Sequence, residues 1–181
     1  MDLEYSPLSN FSTMMKSQME KEPLNVDADA FRQAMRKVPS AVTVVTAEHQ
    51  GRRRGLTATA VCSVSADPPQ VLACVNKAGR AHVSITEAHA FGINYLADSQ
   101  VPVALAFSRP MDDPDERFRP DDWSTGAEGV PLLRDALVSF ACRVIQSVDC
   151  GTHTIFIGEI LEIRQQDQRS LLYKSGEFMP A

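Results

Sequence analysis

The chain has 181 residues, of which 44% are hydrophobic and 23% charged, and its formal net charge is −5. This length and composition predict a globular protein of one domain with a substantial core. The acidic balance, and the lack of a basic stripe with interleaved aromatic residues, argue against a nucleic-acid partner. No run of about 20 apolar residues predicts a membrane span, and the N-terminus lacks the apolar segment of a signal peptide. We therefore expect a cytoplasmic protein without a membrane partner.

The N-terminal 26 residues show no sustained hydrophobic period. We expect a flexible extension at 1–26, followed by a domain that spans 27–181. A short helix is predicted at the start of that domain. Asp27 or Asp29 can cap this helix, and apolar side chains follow at helical spacing from Phe31.

Strands are predicted along most of the domain, from β-branched residues, period-two alternation and turn signals. They lie at 41–47, 56–64, 70–75, 91–97, 136–151 and 153–165, followed by a terminal hairpin at 171–179. The segment EHQGRRRG (48–55) is predicted to be the turn between the first two strands. Asp67-Pro68-Pro69 is predicted to interrupt the chain before the third.

Two short helices are predicted between the strands, at 78–88 and 99–109, the second with Ser99 as a candidate cap and Pro102 in its first turn. Residues 111–131 form a long predicted loop, whose aromatic side chains Phe118 and Trp123 we expect to serve in packing. Many antiparallel strands with a few short helices predict a mainly β protein, built as a closed or partly closed barrel.

Arg52, Arg53 and Arg54 are consecutive and flanked by glycines, and we interpret them as a solvated turn rather than a polyanion site. The four cysteines are predicted to be buried free thiols of a reducing compartment, because none forms a Cys-x-x-Cys pair. They are Cys62, Cys74, Cys142 and Cys150. The histidines are scattered, so no metal site is predicted.

The segment from Gly55 to Asn76, GLTATAVCSVSADPPQVLACVN, combines small hydroxyl side chains with small apolar ones. Taken alone, it is typical of a strand hairpin whose hydroxyl groups face solvent. It is also suited to a ligand that needs close approach to the backbone, because little side-chain bulk stands in the way.

Six blocks of the sequence resemble, in order, those of the flavin reductase-like family. They are FRQAMRKVPSAVTVVT, GLTATAVCSVSADPPQVLACVNK, FGINYLA, PLLRDALVSFACRV, GTHTIFIGEI and LLYKSGEF. The resemblance runs from about Phe31 to Phe178. Members of this family include the reductase components of two-component, flavin-dependent aromatic monooxygenases, of the 4-hydroxyphenylacetate and chlorophenol type. The resemblance implies an antiparallel split β-barrel with a few short peripheral helices, usually a homodimer.

The resemblance also implies a flavin site on the segment of small residues and around it. The implied cofactor-binding residues are Thr57, Ala58, Thr59, Ala60, Ser63, Val64, Ser65, Asn76, Lys77, Arg80, Ala81, His153, Tyr173 and Phe178. The backbone at 57–60 would meet the polar edge of the ring, and the two serines and the backbone at 64–66 would meet phosphate. The chain departs from the family after Lys77, where Ala78 replaces a common Ser or Thr, so Arg80 and backbone N–H groups are expected to replace the hydroxyl contacts.

His153 is the implied catalytic residue, because it matches the family histidine near the flavin face on which nicotinamide docks. A hydrogen-bonded histidine at the start of a strand is the alternative interpretation. His82 and His89 are expected to lie on a helix surface or in packing, without a functional role.

The expected function is an NAD(P)H:flavin oxidoreductase that supplies reduced flavin to a separate aromatic-ring monooxygenase. The resemblance implies FAD, with FMN as the alternative, and NADH rather than NADPH. Both the flavin and the nicotinamide dinucleotide are expected to be diffusible. A non-catalytic flavin-binding protein and a reductase with permanently bound flavin remain as alternatives.

Overall fold

The computed structural model of the protein describes residues 26–109 and 114–181. The extension expected at 1–26 lies outside these ranges, apart from Val26. Residues 36–181 form one compact unit, which contains the described strands.

The described residues form twelve strands and three α-helices. The strands are β1 (Ser40–Ala41), β2 (Thr43–His49), β3 (Arg52–Ala58), β4 (Val61–Ala66), β5 (Pro69–Asn76), β6 (Ala90–Tyr95), β7 (Trp123–Thr125), β8 (Pro131–Leu133), β9 (Val138–Cys150), β10 (His153–Gln165), β11 (Leu171–Lys174) and β12 (Glu177–Pro180). The helices are α1 (Ala28–Arg36), α2 (Arg80–Ala88) and α3 (Val101–Ser108). The predicted mainly β fold with a few short helices is confirmed.

Seven strands form the main sheet in the order β3-β2-β6-β9-β10-β5-β4, and all its pairings are antiparallel. β9 and β10 are the longest strands and form its centre. Within the described residues, the edge strands β3 and β4 do not pair with each other, so the sheet is not closed by hydrogen bonds. A second sheet, β1-β11-β12, contains the terminal hairpin, and β7-β8 forms a third.

Side chains of β2 alternate between two apolar cores, as the period of a strand requires. Val45 packs with residues of α2 and the central strands, such as Ile85 and Phe91. Val44 packs in the other core, which includes an aromatic cluster of Phe107, Phe118 and Trp123 with ring centroids 4.9 to 5.4 Å apart. The two buried aromatic residues of the predicted loop, Phe118 and Trp123, therefore serve in packing, as expected.

The first hairpin is tighter than the sequence predicts. Only Gln50 and Gly51 form its turn, with φ of 52° and 73°, and β3 begins at Arg52. The prediction of a solvated turn for the three arginines was therefore wrong. Side chains alternate along a strand, and Arg54 is only 13% exposed. The single strand predicted at 56–64 was also wrong, because Thr59 and Ala60 separate β3 from β4.

Two further local predictions were wrong. Ser99 does not cap α3, because it lies inside a short 3₁₀ turn, where the Gln100 side chain accepts a hydrogen bond from the backbone N–H of Ala97 at 2.9 Å. Pro102 does occupy the first turn of the helix, as predicted. The long loop predicted at 111–131 contains β7 and the start of β8, and its residues 111–113 lie outside the described residues.

The described cysteines are free, as predicted, but only one of them is buried. Cys142 on β9 is fully buried, and Cys74 is half-buried. Cys62 and Cys150 are exposed, because the first lies on edge strand β4 and the second at the end of the β9–β10 hairpin. The prediction of four buried thiols was therefore wrong for these two.

Candidate functional site

Two neighbouring clefts lie where β3 meets α3. The hairpin cleft, about 550 Å³ in volume, is lined by Val42, Leu56, Thr57, Ala58, Thr59, Leu105, Phe107, Ser108, Tyr173, Gly176 and Phe178. The arginine cleft, about 650 Å³ in volume, is lined by Arg54, Gly55, Leu56, Val75, Asn76, Ala78, Gly79, Arg80, Ala81, Phe107, Ser108, Arg109 and Arg117. The two clefts share Leu56, Phe107 and Ser108, so they are adjoining parts of one surface.

The hairpin cleft brings together predicted site residues that are more than one hundred positions apart in the chain. Thr57, Ala58 and Thr59 come from the end of β3, whereas Tyr173 and Phe178 come from the terminal hairpin. The two aromatic rings contact each other with centroids 5.2 Å apart. The cleft thus has one wall of small side chains and one aromatic wall, which suits a flat, partly polar ring system.

Small residues on β3 have a structural role besides lining the clefts. A Cβ atom at Gly55 would meet the Phe107 ring at 2.7 Å and the Val45 carbonyl at 3.2 Å, so the glycine lets α3 pack closely on the strand. The Thr57 hydroxyl donates a hydrogen bond to the Ala104 carbonyl of α3 at 2.6 Å. The donor hydrogen of Thr57 is therefore used inside the protein.

The start of α2 forms one end of the arginine cleft. The Asn76 side chain accepts a hydrogen bond from the backbone N–H of Ala78 at 2.9 Å, which shapes the turn that leads into the helix. Gly79 is the N-cap and makes no side-chain hydrogen bond to the helix. First-turn N–H groups of a helix attract anions, so the predicted residues Asn76, Arg80 and Ala81 lie at an electropositive end of the cleft.

Arginines from separate parts of the chain complete this cleft. The Arg54 guanidinium lies 3.4 Å from the Asp115 carboxylate. The Arg117 guanidinium lies over the Phe107 ring, 5.6 Å from its centroid, and donates a hydrogen bond to the Arg109 carbonyl. Burial lowers the pKa of Arg117 from its ordinary value. The sequence interpretation missed these three arginines, because only the folding of β3 against the segment around Arg117 brings them together.

Lys77 belongs to a polar chain beside α2. Its ammonium lies 3.1 Å from the Asp149 carboxylate, which also accepts a hydrogen bond from the Thr154 hydroxyl at 2.7 Å. The Thr154 oxygen in turn lies 2.8 Å from Nε2 of His82. These hydrogen bonds hold the pKa of Asp149 below its ordinary range, with the Thr154 bond as the largest cause and the Lys77 bond next. His82 packs against Phe156, as the expectation of a packing role allowed, and its hydrogen bond with Thr154 was not predicted.

His153 lies at the first position of β10, half-buried, and pairs in register with Asn76 of β5. Its Nδ1 atom is 2.9 Å from the Thr152 hydroxyl. It is thus next to the turn that leads into α2, but it lines neither of the two clefts among the described residues. Its catalytic role stays a prediction.

The other predicted residues lie along the start of the β4 edge. Ser63, Val64 and Ser65 are on β4, and Ala60 precedes it. The Ser65 hydroxyl donates to the Asp67 carbonyl at 3.0 Å and accepts from its N–H at 3.2 Å, so it closes the turn before β5. None of these four residues lines the two clefts as described, and their contact with flavin stays a prediction.

An open antiparallel β domain with an aromatic-walled cleft beside a cationic cleft has the concave, partly apolar site that is typical of small-molecule binding. The chain belongs to the family described as "Flavin reductase like domain", whose model matches residues 35–181. The predicted membership of this family is confirmed.

Curated relatives and solved structures agree with this membership. The chain is 39% identical over 148 residues to "FMN reductase (NADH) RutF" of Stutzerimonas stutzeri strain A1501, covering 81% of this chain and 83% of that protein. It is similar to BorF, described as the flavin reductase component of a bacterial two-component tryptophan halogenase, with a TM-score of 0.78, 36% identity and coverage of 85% and 98%. It is also similar to the NADH:FAD oxidoreductase SgcE6 of Streptomyces globisporus C-1027, in a complex with NAD and FAD fragments, with a TM-score of 0.77, 32% identity and coverage of 84% and 92%.

Proposed function

We propose that the protein is an NADH-dependent flavin reductase that releases reduced flavin to a separate oxygenase. The observation that carries this proposal is the pair of adjoining clefts, one with a wall of small residues facing an aromatic pair and one rich in arginine. The first suits a flavin ring, and the second suits the phosphate that a flavin nucleotide carries. A cleft for a ring beside a cleft for a phosphate is expected of a flavin nucleotide site, and the family membership supports the proposal.

The hydrogen-bonding and charged groups of the two clefts fit those of a flavin nucleotide. The backbone from Thr57 to Thr59 offers N–H and carbonyl groups to the polar edge of the ring, with little side-chain bulk between. The buried Nε atom of Arg117 has no hydrogen-bond partner within the described residues, and an anion in the arginine cleft would supply one. Lys77, held by Asp149, adds a positive charge beside the same turn.

A bound flavin supplies the hydride acceptor for reduced nicotinamide, and the protein supplies binding and orientation. In this proposal, Tyr173 and Phe178 cover the ring from the terminal hairpin. His153 orients the nicotinamide, because it stands at the sheet position next to Asn76. Such a role requires no acid or base of perturbed pKa, since orientation alone makes a large contribution to rate.

FMN and FAD are both candidate substrates. The name of the curated relative favours FMN, and the SgcE6 complex contains a FAD fragment, so the expected preference for FAD has no support from the curated relative. We infer that the partner is a flavin-dependent monooxygenase acting on an aromatic compound. BorF, by comparison, serves a halogenase. A cytoplasmic location and diffusible flavin belong to the same proposal.

Three-dimensional closure of the sheet and association of subunits are further proposals. We infer that the main sheet curves into a split barrel, since β3 and β4 are the outer strands of seven. We also infer a homodimer. Within the described part of the chain, no helix combines the length and the hydrophobicity that a membrane span needs.

The decisive experiment is steady-state oxidation of NADH with FMN and FAD titrated separately into the purified protein. We expect oxidation only when flavin is added, with a rate that saturates at low micromolar flavin, about 10⁻⁶ M. A protein that stays yellow through dialysis and ignores added flavin would support the permanently bound form. Flavin binding without NADH oxidation would support the non-catalytic alternative.

A further inference from the structure

The residues on both sides of His153 are held by hydrogen bonds to neighbouring elements. Before it, the Thr152 carbonyl accepts a hydrogen bond from the backbone N–H of Lys77 at 3.0 Å. After it, the Thr154 hydroxyl donates to the Asp149 carboxylate at 2.7 Å, and Asp149 lies 3.1 Å from the Lys77 ammonium. The turn between β9 and β10 is thus tied twice to the turn that leads from β5 into α2.

Thr154 is the centre of the polar chain beside α2. Its side chain is buried, and its oxygen lies 2.8 Å from Nε2 of His82. The His82 ring packs against the buried ring of Phe156, with centroids 5.3 Å apart, so the imidazole is itself held in place. Because Asp149 and His82 belong to β9 and α2, one hydroxyl of β10 joins three elements.

The polar chain and His153 lie on opposite faces of the sheet. His153 pairs in register with Asn76 and Cys150, whereas Thr154 pairs with Asp149. Successive side chains of a strand point to opposite faces. The chain therefore fixes the strand from one face and leaves the other face to the His153 imidazole.

The turn itself has few contacts that would hold it without this chain. Residues 149–152 are exposed, and Gly151 has a φ of 56°. Exposed turns at the end of a hairpin are among the first parts of a protein to open locally. A reaction between two bound ring systems needs accurate placement, since a misplacement of about 1 Å costs about 100-fold in rate.

We propose that Thr154 and Asp149 are positioning residues for hydride transfer, which hold the β9–β10 turn so that His153 meets the docked nicotinamide. This inference rests on the proposed function, in which His153 orients the nicotinamide. Thr154 and Asp149 act through His153 and need no contact with the dinucleotide. Neither of them lines the hairpin cleft or the arginine cleft as described.

The test is a double-mutant cycle between Thr154 and His153, measured as stopped-flow reduction of saturating flavin by NADH. Thr154→Val keeps the shape of the side chain and removes its hydroxyl. We expect it to slow reduction about 3- to 30-fold and to leave flavin affinity unchanged. Thr154→Ser, which restores a hydroxyl, should recover most of the rate. In the His153→Ala background, Thr154→Val should have no further effect.

Asp149→Ala is a second variant, at a side chain that is 72% exposed, so we expect the protein to fold without it. It should also slow reduction only when His153 is present. Thr86→Val is the matched control, because Thr86 is exposed on α2 and its hydroxyl donates to the backbone carbonyl of His82. This control should reduce flavin at the wild-type rate. Thermal melting verifies that each variant is folded.

Two kinetic outcomes would overturn the inference. The first is a Thr154→Val variant that reduces flavin at the wild-type rate. The second is a loss of rate of the same size with and without His153, because additive losses indicate that Thr154 has a structural role alone.

Hydrogen exchange of the backbone amides at 150–153 separates this inference from the proposed function, because it needs no turnover. We expect faster exchange in Thr154→Val than in wild type, and no change in Thr86→Val. Faster exchange in a protein that does not oxidise NADH would support the hold on the turn and remove the reductase proposal. Unchanged exchange in a protein that does oxidise NADH would overturn the positioning role and leave the reductase proposal in place.

Discussion

The hydroxyl of Thr154 lies between His82 and Asp149 in a chain of hydrogen bonds. This hydroxyl has one hydrogen, which it donates to Asp149, so its oxygen is available to accept a hydrogen bond from Nε2 of His82. Asp149 also holds Lys77. The Asp149 carboxylate therefore links the start of α2 to the β9–β10 hairpin, so its ionisation should affect the stability of both segments.

Replacing Asp149 by Asn should make stability less sensitive to acid. The folded pKa of Asp149 lies below its ordinary value of 3.8, because Thr154 and Lys77 stabilise the carboxylate. Its stabilising contribution is therefore present above pH 3.8 and is lost as the pH falls through the lowered pKa. We expect wild type to melt at a higher temperature than Asp149→Asn at pH 6, with the difference shrinking below pH 3.8. A difference that is constant with pH would contradict this account.

His153→Ala tests whether that imidazole positions nicotinamide. We expect slower flavin reduction and a higher KM for NADH, with a loss in kcat/KM of about 5- to 150-fold for one positioning hydrogen bond. Flavin affinity should stay nearly unchanged. Stopped-flow reduction at saturating flavin is the measurement, and Lys77→Ala is the control, expected to weaken flavin binding first. If the His153 variant reduces flavin at the wild-type rate and with the same NADH dependence, His153 has only a structural role.

At the scale of elements, the packing of β6 depends on a glycine. A Cβ atom at Gly92 would collide with the Thr46 hydroxyl and lie 2.9 Å from the Pro131 carbonyl. That carbonyl accepts a 2.6 Å hydrogen bond from Thr46, so moving it away would disrupt this bond. The contact between β6, β2 and β8 therefore requires a residue without a side chain.

Gly92→Ala should destabilise the protein by about 1–3 kcal/mol, the usual cost of overpacking a core. Chemical denaturation, with unchanged slope against denaturant, is the measurement. Gly151→Ala is the comparison variant. A Cβ atom at Gly151 would meet nothing within 4 Å, so only the positive φ of 56° would disfavour alanine there. A Gly92 variant as stable as wild type would show that β8 can shift freely.

The four thiols should differ in reactivity according to their strands. Burial raises the pKa of Cys142 on β9 to about 12, whereas Cys62 and Cys150 are exposed. An aromatic disulfide reagent at pH 8 should react quickly with those two, more slowly with Cys74, and with Cys142 only after unfolding. Because burial raises the pKa of Cys142 in the folded protein, this thiol contributes its full stabilising effect below its ordinary pKa of 9.0. That contribution to folding stability is lost as the pH rises toward 12. Fast reaction of all four thiols would contradict the structure.

At the scale of the whole molecule, the central strands expose apolar side chains. Ile145 on β9 is 47% exposed and Ile163 on β10 is 55% exposed. Exposed apolar side chains on a central hairpin are typical of an association surface. They support the proposed homodimer, and they give it a location other than the aromatic loop residues Phe118 and Trp123, which are buried within the chain.

Light scattering should therefore report twice the 19.9 kDa mass of one chain. The double variant Ile145→Glu with Ile163→Glu should shift the protein toward the monomer, because each charge would have to be buried at the interface. Val83→Glu on α2 is the control, since Val83 is 56% exposed and lies on a different element. A monomer mass for wild type over a wide concentration range would remove the dimer proposal.

The sequence by itself determined the family, the mainly β class and most elements. Its ordered blocks and local signals suffice for these, because strand alternation, Pro102 in a first helical turn and the turn before Glu177 are local properties. Five of the eleven residues that line the hairpin cleft, among them Thr57, Tyr173 and Phe178, are site residues that the family resemblance implies, and their contact with flavin stays a prediction.

Only the tertiary structure decided that Arg54 and Arg117 share a cleft and that His82 joins Asp149 through Thr154. Arg54 and Arg117 are more than 60 positions apart, as are His82 and Thr154, and both contacts depend on which face of β3 and β10 each side chain occupies. A shift of one residue in strand register or turn length reverses that face. The turn after β2 is two residues long rather than eight, and this difference places Arg54 in the cleft instead of in solvent.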